Sequence, residues 1–220
     1  MKKLLLNISL LITATFVSAQ TKITEGIITY SVEWTVPSNM QAMAANLPTE
    51  FKVYFKGDSS SLKSESAMFS SRSILNTKKE YERMLLDVPM MGKKFSVIFT
   101  PDDQEKLQDK MPDLSLKAGT EIKSVAGYNA LKYDVTEKKS NQNSTAWFTK
   151  DVEITPNSLS RFYDKSYGFP LEFTSFMSGL TVKAVVKEIK PGVVPGGSFT
   201  ATKDYQEITL DQLMQMSGQR

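Results

Sequence analysis

Residues 26–36, Gly-Ile-Ile-Thr-Tyr-Ser-Val-Glu-Trp-Thr-Val, decide the fold class of this chain. Apolar side chains occupy every second position of the stretch, namely Ile28, Tyr30, Val32, Trp34 and Val36. Successive side chains of a β-strand point to opposite faces of a sheet, so this alternation is typical of a half-buried antiparallel strand. We therefore predict a fold built from strands that have one apolar and one polar face.

The same alternation recurs along the chain and predicts a mainly β protein. Clear further examples are residues 51–55, 131–135 and 180–186. Turn residues such as Gly57 and Gly127, rather than long helices, separate the strands, which disfavours parallel βαβ units. We predict a single α+β domain with a large curved antiparallel sheet, or open half-barrel, whose concave face is covered by a few short helices.

Short helices are predicted at four places, residues 38–47, 102–108, 157–163 and 211–216. In the first of them, Met40, Met43 and Leu47 are spaced three and four apart, as on one helix face, before Pro48 ends the pattern. This helix lies between two predicted strands. We expect it to return across the concave face with its methionines turned inward.

The first nineteen residues are typical of a secretory signal peptide. Lys2 and Lys3 precede an apolar run over residues 4–17, and a small residue, Ala19, ends the segment. We predict cleavage between Ala19 and Gln20, with cleavage after Gln20 as the alternative. The apolar run is shorter than the roughly 20 residues that a membrane-spanning helix needs, so we do not expect it to stay as an anchor.

Removal of residues 1–19 leaves a single β-rich domain, residues 20–220, with its core over about 22–210. Without its two leading lysines the chain has 25 basic and 24 acidic residues, against 27 and 24 before cleavage. This near balance gives no support for nucleic-acid binding. With no cysteine to carry a lipid, we expect a soluble protein, in the periplasm or outside the cell, that is neither lipid-anchored nor membrane-spanning.

Catalytic chemistry has few candidates, because the chain contains no cysteine and no histidine. Thiol nucleophiles, Ser-His triads and the usual zinc and haem ligands are therefore excluded. Three weak pairs remain: Ser60 with Lys63, Asp102 with Asp103, and Glu80 with Glu82. The first lacks the companion motifs of penicillin-binding enzymes, and the acidic pairs fit a helix start and a polar strand face. We predict no catalytic residue, no metal site and no cofactor.

Methionine is the one residue type whose usage suggests function. Ten of the eleven methionines lie beyond the signal peptide, and several are close together in sequence. Methionine is flexible and polarizable, so it suits adaptable apolar surfaces. The predicted lining of an apolar ligand cavity consists of Trp34, Met40, Met43, Leu47, Met90, Met91 and Trp147. In the alternative interpretation, these side chains only fill the core between the sheet and its helices.

Four segments resemble a known family when they are taken in order: residues 26–34, 120–128 leading into Lys132 and Tyr133, 146–151, and 168–171. Over residues 25–205 the chain resembles the exported Gram-negative proteins of domain of unknown function 4412. That family has no assigned activity. Its sheet is similar in kind to the lipoprotein-carrier fold of LolA, LolB and LppX, an open half-barrel closed by helices over an apolar cavity. The resemblance implies this fold and assigns no catalytic residue.

Three functional hypotheses follow. The first is an exported, non-enzymatic binding protein of the cell envelope that holds a lipid-like or other apolar ligand between sheet and helices. The second is an envelope protein-interaction or structural module without a small ligand. The third is an enzyme that works with carboxylate, lysine, tyrosine or serine groups. The alternating sheet and the methionine-rich early helix favour the first.

Processing of the leader is directly testable. We expect N-terminal sequencing of the exported protein to begin at Gln20, because Ala19 supplies the small residue required beside the scissile bond. Replacement of Ala19 by Phe should leave the precursor unprocessed, whereas Ser18→Phe, at the less restricted middle position, should still be cleaved. An exported protein that begins at Met1 would contradict the prediction.

Overall fold

The computed structural model describes residues 20–38, 41–66, 69–108, 111–177 and 180–216, without the side chains of Met43 and Met177. Its strands are β1 (Thr21–Lys22), β2 (Glu25–Thr35), β3 (Glu50–Lys56), β4 (Ser59–Glu65), β5 (Ser70–Asn76), β6 (Tyr81–Val88), β7 (Lys93–Ile98), β8 (Leu114–Val125), β9 (Tyr128–Glu137), β10 (Gln142–Thr149), β11 (Val152–Glu153), β12 (Phe169–Met177), β13 (Leu180–Pro191) and β14 (Gln206–Glu207). Its α-helices are α1 (Gln41–Ala44), α2 (Pro101–Gln108) and α3 (Leu210–Met216). Short 3₁₀ turns span Pro89–Met91 and Lys165–Tyr167.

Twelve strands form one sheet in the order β14-β7-β6-β5-β4-β3-β2-β13-β12-β10-β9-β8. Ten of its pairings are antiparallel, and only the short β14 runs parallel to its neighbour β7. Strands β1 and β11 form a separate parallel pair. In the described chain, β8 and β14 are opposite edges of the large sheet, which is therefore open. The predicted mainly β class with one large sheet is confirmed.

The alternation in residues 26–36 becomes the central strand β2. Ile28, Tyr30 and Val32 are buried on one face of the sheet, here called the inner face. Cross-strand partners extend this face, with Val53 of β3 opposite Ile28 and Ala184 of β13 opposite Val32. Buried side chains from β2, β3, β9, β10, β12 and β13 join in a single hydrophobic cluster. The inner face is thus the main core.

Residues 154–168, between β11 and β12, lie across the inner face and are called the inner strap. Leu159 is completely buried there. The ring of Tyr163 stands edge-on to Phe148 and Phe173, with centroid distances of 5.4 and 5.6 Å. Such aromatic pairs each contribute about 0.5–1.5 kcal/mol beyond the area that they bury. The inner strap therefore occupies the space that the sequence assigned to a ligand cavity.

Buried polar groups fix the inner strap to the sheet. Asn157 is fully buried and donates from Nδ2 to the hydroxyl oxygen of Tyr30 at 3.2 Å. The hydroxyl of Ser175 donates to the carbonyl of Leu159 at 2.7 Å. Burial raises the pKa of Tyr30 well above its ordinary value, so its hydroxyl stays protonated and able to hydrogen-bond.

The helix predicted over residues 157–163 is wrong, because side chains satisfy the backbone there in another way. The Asn157 Oδ1 atom accepts a hydrogen bond from the Leu159 N–H at 3.0 Å. The hydroxyl of Ser160 accepts one from the Asn157 N–H at 3.2 Å. Such local side-chain bonds compete with helix formation and produce a chain of turns instead.

The other helices agree only in part with expectation. Helices α2 and α3 are confirmed, and they join Val97, Phe99 and Leu210 in a second cluster at the β7 end of the inner face. Helix α1 is shorter than the predicted residues 38–47, since the Leu47 N–H donates to the Ala44 carbonyl at 3.2 Å and closes a turn there. The expectation that this helix covers the concave face stays a prediction, and the inner strap covers the centre of that face.

A second irregular segment, residues 192–205, crosses the opposite face of the sheet and is called the outer strap. Arg72 donates from Nη1 to one of its carbonyl oxygens at 3.1 Å, and Lys94 pairs with Asp204 at 2.8 Å. Ile74, which lies on this face, is only 2% exposed. The outer strap thus shields apolar side chains that the main core does not include.

The sheet is nearly divided between β10 and β12. These strands pair only at Trp147, Phe148 and Thr149. Farther along β12, the hydroxyl of Tyr163 donates to the backbone carbonyl of Thr174 at 2.7 Å. A side chain of the inner strap therefore satisfies a backbone group of β12 beyond its short pairing with β10.

Gly168, at the entry to β12, offers a test of how closely the inner strap approaches the sheet. Its φ is +105°, and a Cβ atom there would lie 2.3 Å from the carbonyl oxygen of Thr149. We expect Gly168→Ala to lower the free energy of unfolding by about 3 kcal/mol or more in urea titrations. The control is Gly192→Ala, with φ +144° but open space around its Cβ, which should cost clearly less. Equal losses would show that the close approach is not needed.

Candidate functional site

Antiparallel pairing brings six connections of the chain to one end of the large sheet. Thr35, at the end of β2, is opposite Thr181, near the start of β13. The neighbouring strands are also paired antiparallel, so the end of one strand lies beside the start of the next across the sheet. We call this the methionine end and define it by the described residues of these connections, 36–38, 41–49, 66, 69, 89–92, 111–113 and 138–141. Its composition differs sharply from that of the opposite end.

Seven of the ten methionines beyond the predicted leader lie in or directly beside these connections: Met40, Met43, Met68, Met90, Met91, Met111 and Met177. The turns at the opposite end, residues 57–58, 77–80, 126–127 and 150–151, contain none. Met40, which the sequence placed in a ligand cavity, and Met68 lie outside the described residues, as do the side chains of Met43 and Met177. Among the described side chains, the topology brings Met90, Met91 and Met111 to this end.

Met90 and Met91 are the most accessible apolar part of this end. Their side chains are 83% and 57% exposed. They follow Pro89 in a 3₁₀ turn, which ends where the Gly92 N–H donates to the Pro89 carbonyl at 2.9 Å with Gly92 at φ +60°. Two adjacent large apolar side chains are thus held in solvent at this turn.

Charged residues are distributed unevenly over the methionine end. The connections over residues 36–49, 66–69, 89–92 and 178–179 contain none, although 23% of the whole chain is charged. The connections over residues 109–113 and 138–141 contain Asp109, Lys110, Asp113, Lys138 and Lys139. Three acidic side chains near this end are paired with lysines: Glu50 with Lys187 (3.2 Å), Asp87 with Lys94 (3.5 Å) and Asp113 with Lys138 (2.9 Å). The β2–β3 and β6–β7 connections are therefore uncharged, whereas the β8 side of this end is charged.

The two tryptophans of the predicted cavity lie on opposite faces of the sheet. Trp34, on the inner face near the methionine end, stacks edge-on to Phe51 at 5.9 Å and donates from its indole nitrogen to the Pro48 carbonyl at 2.7 Å. Trp147 lies on the outer face, where the Lys123 ammonium sits 4.1 Å from its ring centroid. Trp147 is a member of the main buried cluster and Trp34 packs against it, so the predicted lining stays a prediction. Leu47 is half-buried behind α1.

The weak catalytic pairs have structural partners instead. Ser60 and Lys63 point to opposite faces of β4, since their spacing is odd, and Ser60 donates to a carbonyl of the inner strap at 3.1 Å. Asp103 caps α2 by accepting the Thr100 N–H at 3.0 Å. Glu82 pairs with an arginine of the inner strap at 2.7 Å. In the described parts of the chain, acidic side chains form no cluster suited to a metal ion.

An open cleft of about 570 Å³ lies at the end opposite the methionines. It is lined by Thr21, Lys22, Ile23, Thr24, Glu25, Tyr128, Asp151, Val152 and Pro191. A smaller polar groove of about 200 Å³ lies beside Lys52 and Lys63. Neither contains a residue of the predicted apolar lining.

Comparison with known proteins adds no further assignment, because neither known family models nor curated proteins match this chain. Among the residues that the structure covers, no helix is both long and apolar enough to cross a bilayer. The resemblance to domain of unknown function 4412 stays a prediction. Its segments have structural roles here, since Gly26 and Gly168 both make approaches that a Cβ atom would block.

Glu137 organises the β9–β10 turn at the methionine end. The hydroxyl and N–H of Ser140 both donate to its Oε2 atom at 2.6 Å, and the Asp113 N–H donates to Oε1 at 3.1 Å. These donors stabilise the carboxylate and lower the pKa of Glu137 to about 2, from an ordinary value of 4.5.

We therefore expect Glu137→Gln to destabilise the protein near neutral pH and to matter less in acid. The folded-state pKa lies below the unfolded one, so the carboxylate stabilises the fold above its ordinary pKa of 4.5 and ceases to do so as the pH falls towards about 2. Urea unfolding of both proteins across this range measures the difference. Glu65→Gln, at an exposed strand end, is the control and should change stability little. A pH-independent difference would contradict the assignment.

Proposed function

We propose that this protein is an exported, non-enzymatic binding protein of the cell envelope that takes a lipid-like or other apolar ligand at the methionine end. The observation that carries the proposal is the exposure of Met90 and Met91, at 83% and 57%, in a connection that has no charged residue. Two large apolar side chains that remain in water contribute nothing to the stability of the fold. Their exposure is explained if a ligand covers them.

Methionine supplies the adaptability that such a ligand needs. Its unbranched side chain and polarizable sulfur fit acyl chains of different length and curvature without a fixed pocket shape. Complete burial of one methionine side chain contributes about 1.5–3 kcal/mol. Covering the exposed parts of Met90 and Met91 would therefore favour binding.

The interior of the sheet is a less suitable place for the ligand. A guest there would displace Leu159 and Tyr163 and break the buried hydrogen bond from Asn157 to Tyr30. Each buried polar group left unpaired costs about 1–3 kcal/mol. Binding at the methionine end requires no such loss, which supports a surface site over the cavity expected from the carrier fold.

An envelope protein-interaction module is the second candidate function, and strand β8 favours it. This edge strand of 12 residues has one neighbour, and its Ile122 is 68% exposed. However, its pairing shifts between Ala118 and Ile122, which bends the edge. Irregular edges resist the addition of another strand, so we rank this function second.

The proposal is tested by native mass spectrometry of the protein purified from its own host. We expect a co-purified apolar ligand that organic extraction removes. The double variant Met90→Ser, Met91→Ser should lower its occupancy at least about tenfold, since each methionine contributes more than 1.4 kcal/mol when buried. The control is Val193→Ser, which removes an apolar side chain that is 87% exposed at the other end of the sheet.

Equal ligand content in the wild-type protein and the double variant would remove the support for a site at the methionine end. A protein that carries no apolar ligand, but is recovered with a stoichiometric envelope protein after crosslinking in cells, would favour the interaction module. The variants must keep the melting temperature of the wild-type protein, so that loss of the fold is not mistaken for loss of binding.

A further inference from the structure

We infer that the open cleft at the end opposite the methionines is a second binding site, which takes a small organic cation, a protonated amine attached to an apolar body. The cleft shares no residue with the methionine end, so the inference does not rest on the proposed function. Every residue that lines the cleft belongs to the described chain.

The cleft has the size and the apolar floor of a small-molecule site. Its volume of about 570 Å³ lies within the roughly 300–1,000 Å³ that is usual for ligand pockets. Val152 is buried in the main core, and the half-buried side chains of Ile23 and Tyr128 line the cleft and pack against that core. An apolar group of a ligand would therefore contact side chains that the core already holds in place.

Backbone hydrogen bonds hold two parts of the lining in place. Strand β1 is joined to the segment that leads into β11, because the Thr21 N–H donates to the Asp151 carbonyl at 2.8 Å. At the start of β2, the carbonyl of Glu25 accepts a hydrogen bond from the Gly192 N–H at 3.1 Å. The cleft is thus preformed, and binding requires little ordering of the chain.

Asp151 is the charged residue of the cleft that lacks an ionic partner. The lining contains two others, of which Lys22 pairs with Glu153 at 3.5 Å. The second, Glu25, pairs with Lys56 at 3.1 Å. Within the described chain, Asp151 forms no ion pair. The cleft therefore contains one negative charge that no cation of the described protein balances.

The carboxylate of Asp151 is held close to Tyr128. Its Oδ2 atom accepts a hydrogen bond from the Asn129 N–H at 3.0 Å, and this N–H belongs to the peptide bond that follows Tyr128. The bond uses one oxygen and leaves Oδ1 for a ligand. A carboxylate and an aromatic ring both attract an ammonium group, the first by a charge-assisted hydrogen bond and the second through the face of the ring.

An organic cation fits this lining better than a metal ion, an anion or a neutral ligand does. In the described parts of the chain, no three acidic side chains are close enough to hold a metal ion. An anion would meet two carboxylates and one lysine, which is already paired. A wholly apolar ligand would cover Asp151 without replacing the water around its charge. A protonated amine pairs with Asp151, and its apolar body lies against Ile23 and Val152.

The experiment is an NMR titration of the exported protein, labelled with nitrogen-15, with three probes of one shape. These are 2-phenylethylamine, which is protonated at neutral pH, the neutral 2-phenylethanol and the anionic 3-phenylpropanoate. We expect the amine to shift the amide signals of Ile23 and Asn129. It should bind at least about tenfold more tightly than the alcohol, which lacks the charge that Asp151 binds. The anion should not bind.

Variants locate the site. Asp151→Asn should lower the affinity for the amine at least about tenfold and leave the affinity for 2-phenylethanol unchanged, since asparagine keeps an oxygen acceptor for the Asn129 N–H. Tyr128→Leu keeps an apolar side chain and should lower the affinity for the amine roughly threefold. The matched control is Asp134→Asn, which removes an exposed carboxylate of β9 outside the cleft and should bind as the wild type does. Each variant must keep the melting temperature of the wild-type protein.

Equal binding of the amine and the alcohol, or amine binding that survives Asp151→Asn, overturns the inference. If Asp151→Asn does not fold, the comparison of the three probes on the wild-type protein decides alone. The proposed function is tested separately, because Met90→Ser with Met91→Ser should leave the affinity for the amine unchanged. Asp151→Asn should likewise leave the content of co-purified apolar ligand unchanged, so failure of one site leaves the other standing.

Discussion

The contact between the inner strap and the inner face is the constraint on which the rest of the structure depends. Tyr163 connects the aromatic rings of β10 and β12, and Asn157 anchors the strap on the hydroxyl of β2 Tyr30. With Leu159 completely buried between them, the inner face becomes a closed core. An apolar ligand would therefore bind more easily at an exposed apolar surface at the ends of the sheet than in the interior.

The strands and their facing were predictable from sequence because each depends on local alternation. The spacing of Ile28 and Tyr30 alone indicates the inner face of β2, and the apolar residues of β3 and β13 indicate theirs in the same way. The inner strap was not predictable in this way. Residues 157–163 carry a helix-like spacing, but Asn157 and Ser160 hydrogen-bond to nearby backbone groups, and the buried partner Tyr30 lies more than a hundred residues away.

The candidate site shows the same division between local and long-range information. Exposure of Met90 and Met91 was not foreseen, since an apolar pair within an alternating β segment normally fills a core. The environment of Trp147 is also long-range, because the Lys123 ammonium that covers its ring comes from β8, two strands away. What links Met90 with the β2–β3 connection is strand order, and single-sequence patterns do not contain it.

The pairing of β2 with β13 has a consequence for the order of assembly. These strands, matched from Thr35 with Thr181 to Gly26 with Pro191, stand roughly 150 residues apart in the chain. Ribosomes add about 5–20 residues per second, so β2 waits roughly 10–30 s for its partner to be synthesised. During that interval β2 is the edge strand of the β2–β7 meander, and the side of β2 that later pairs with β13 has no strand partner. The finished sheet therefore cannot form until the chain has been extended to its thirteenth strand.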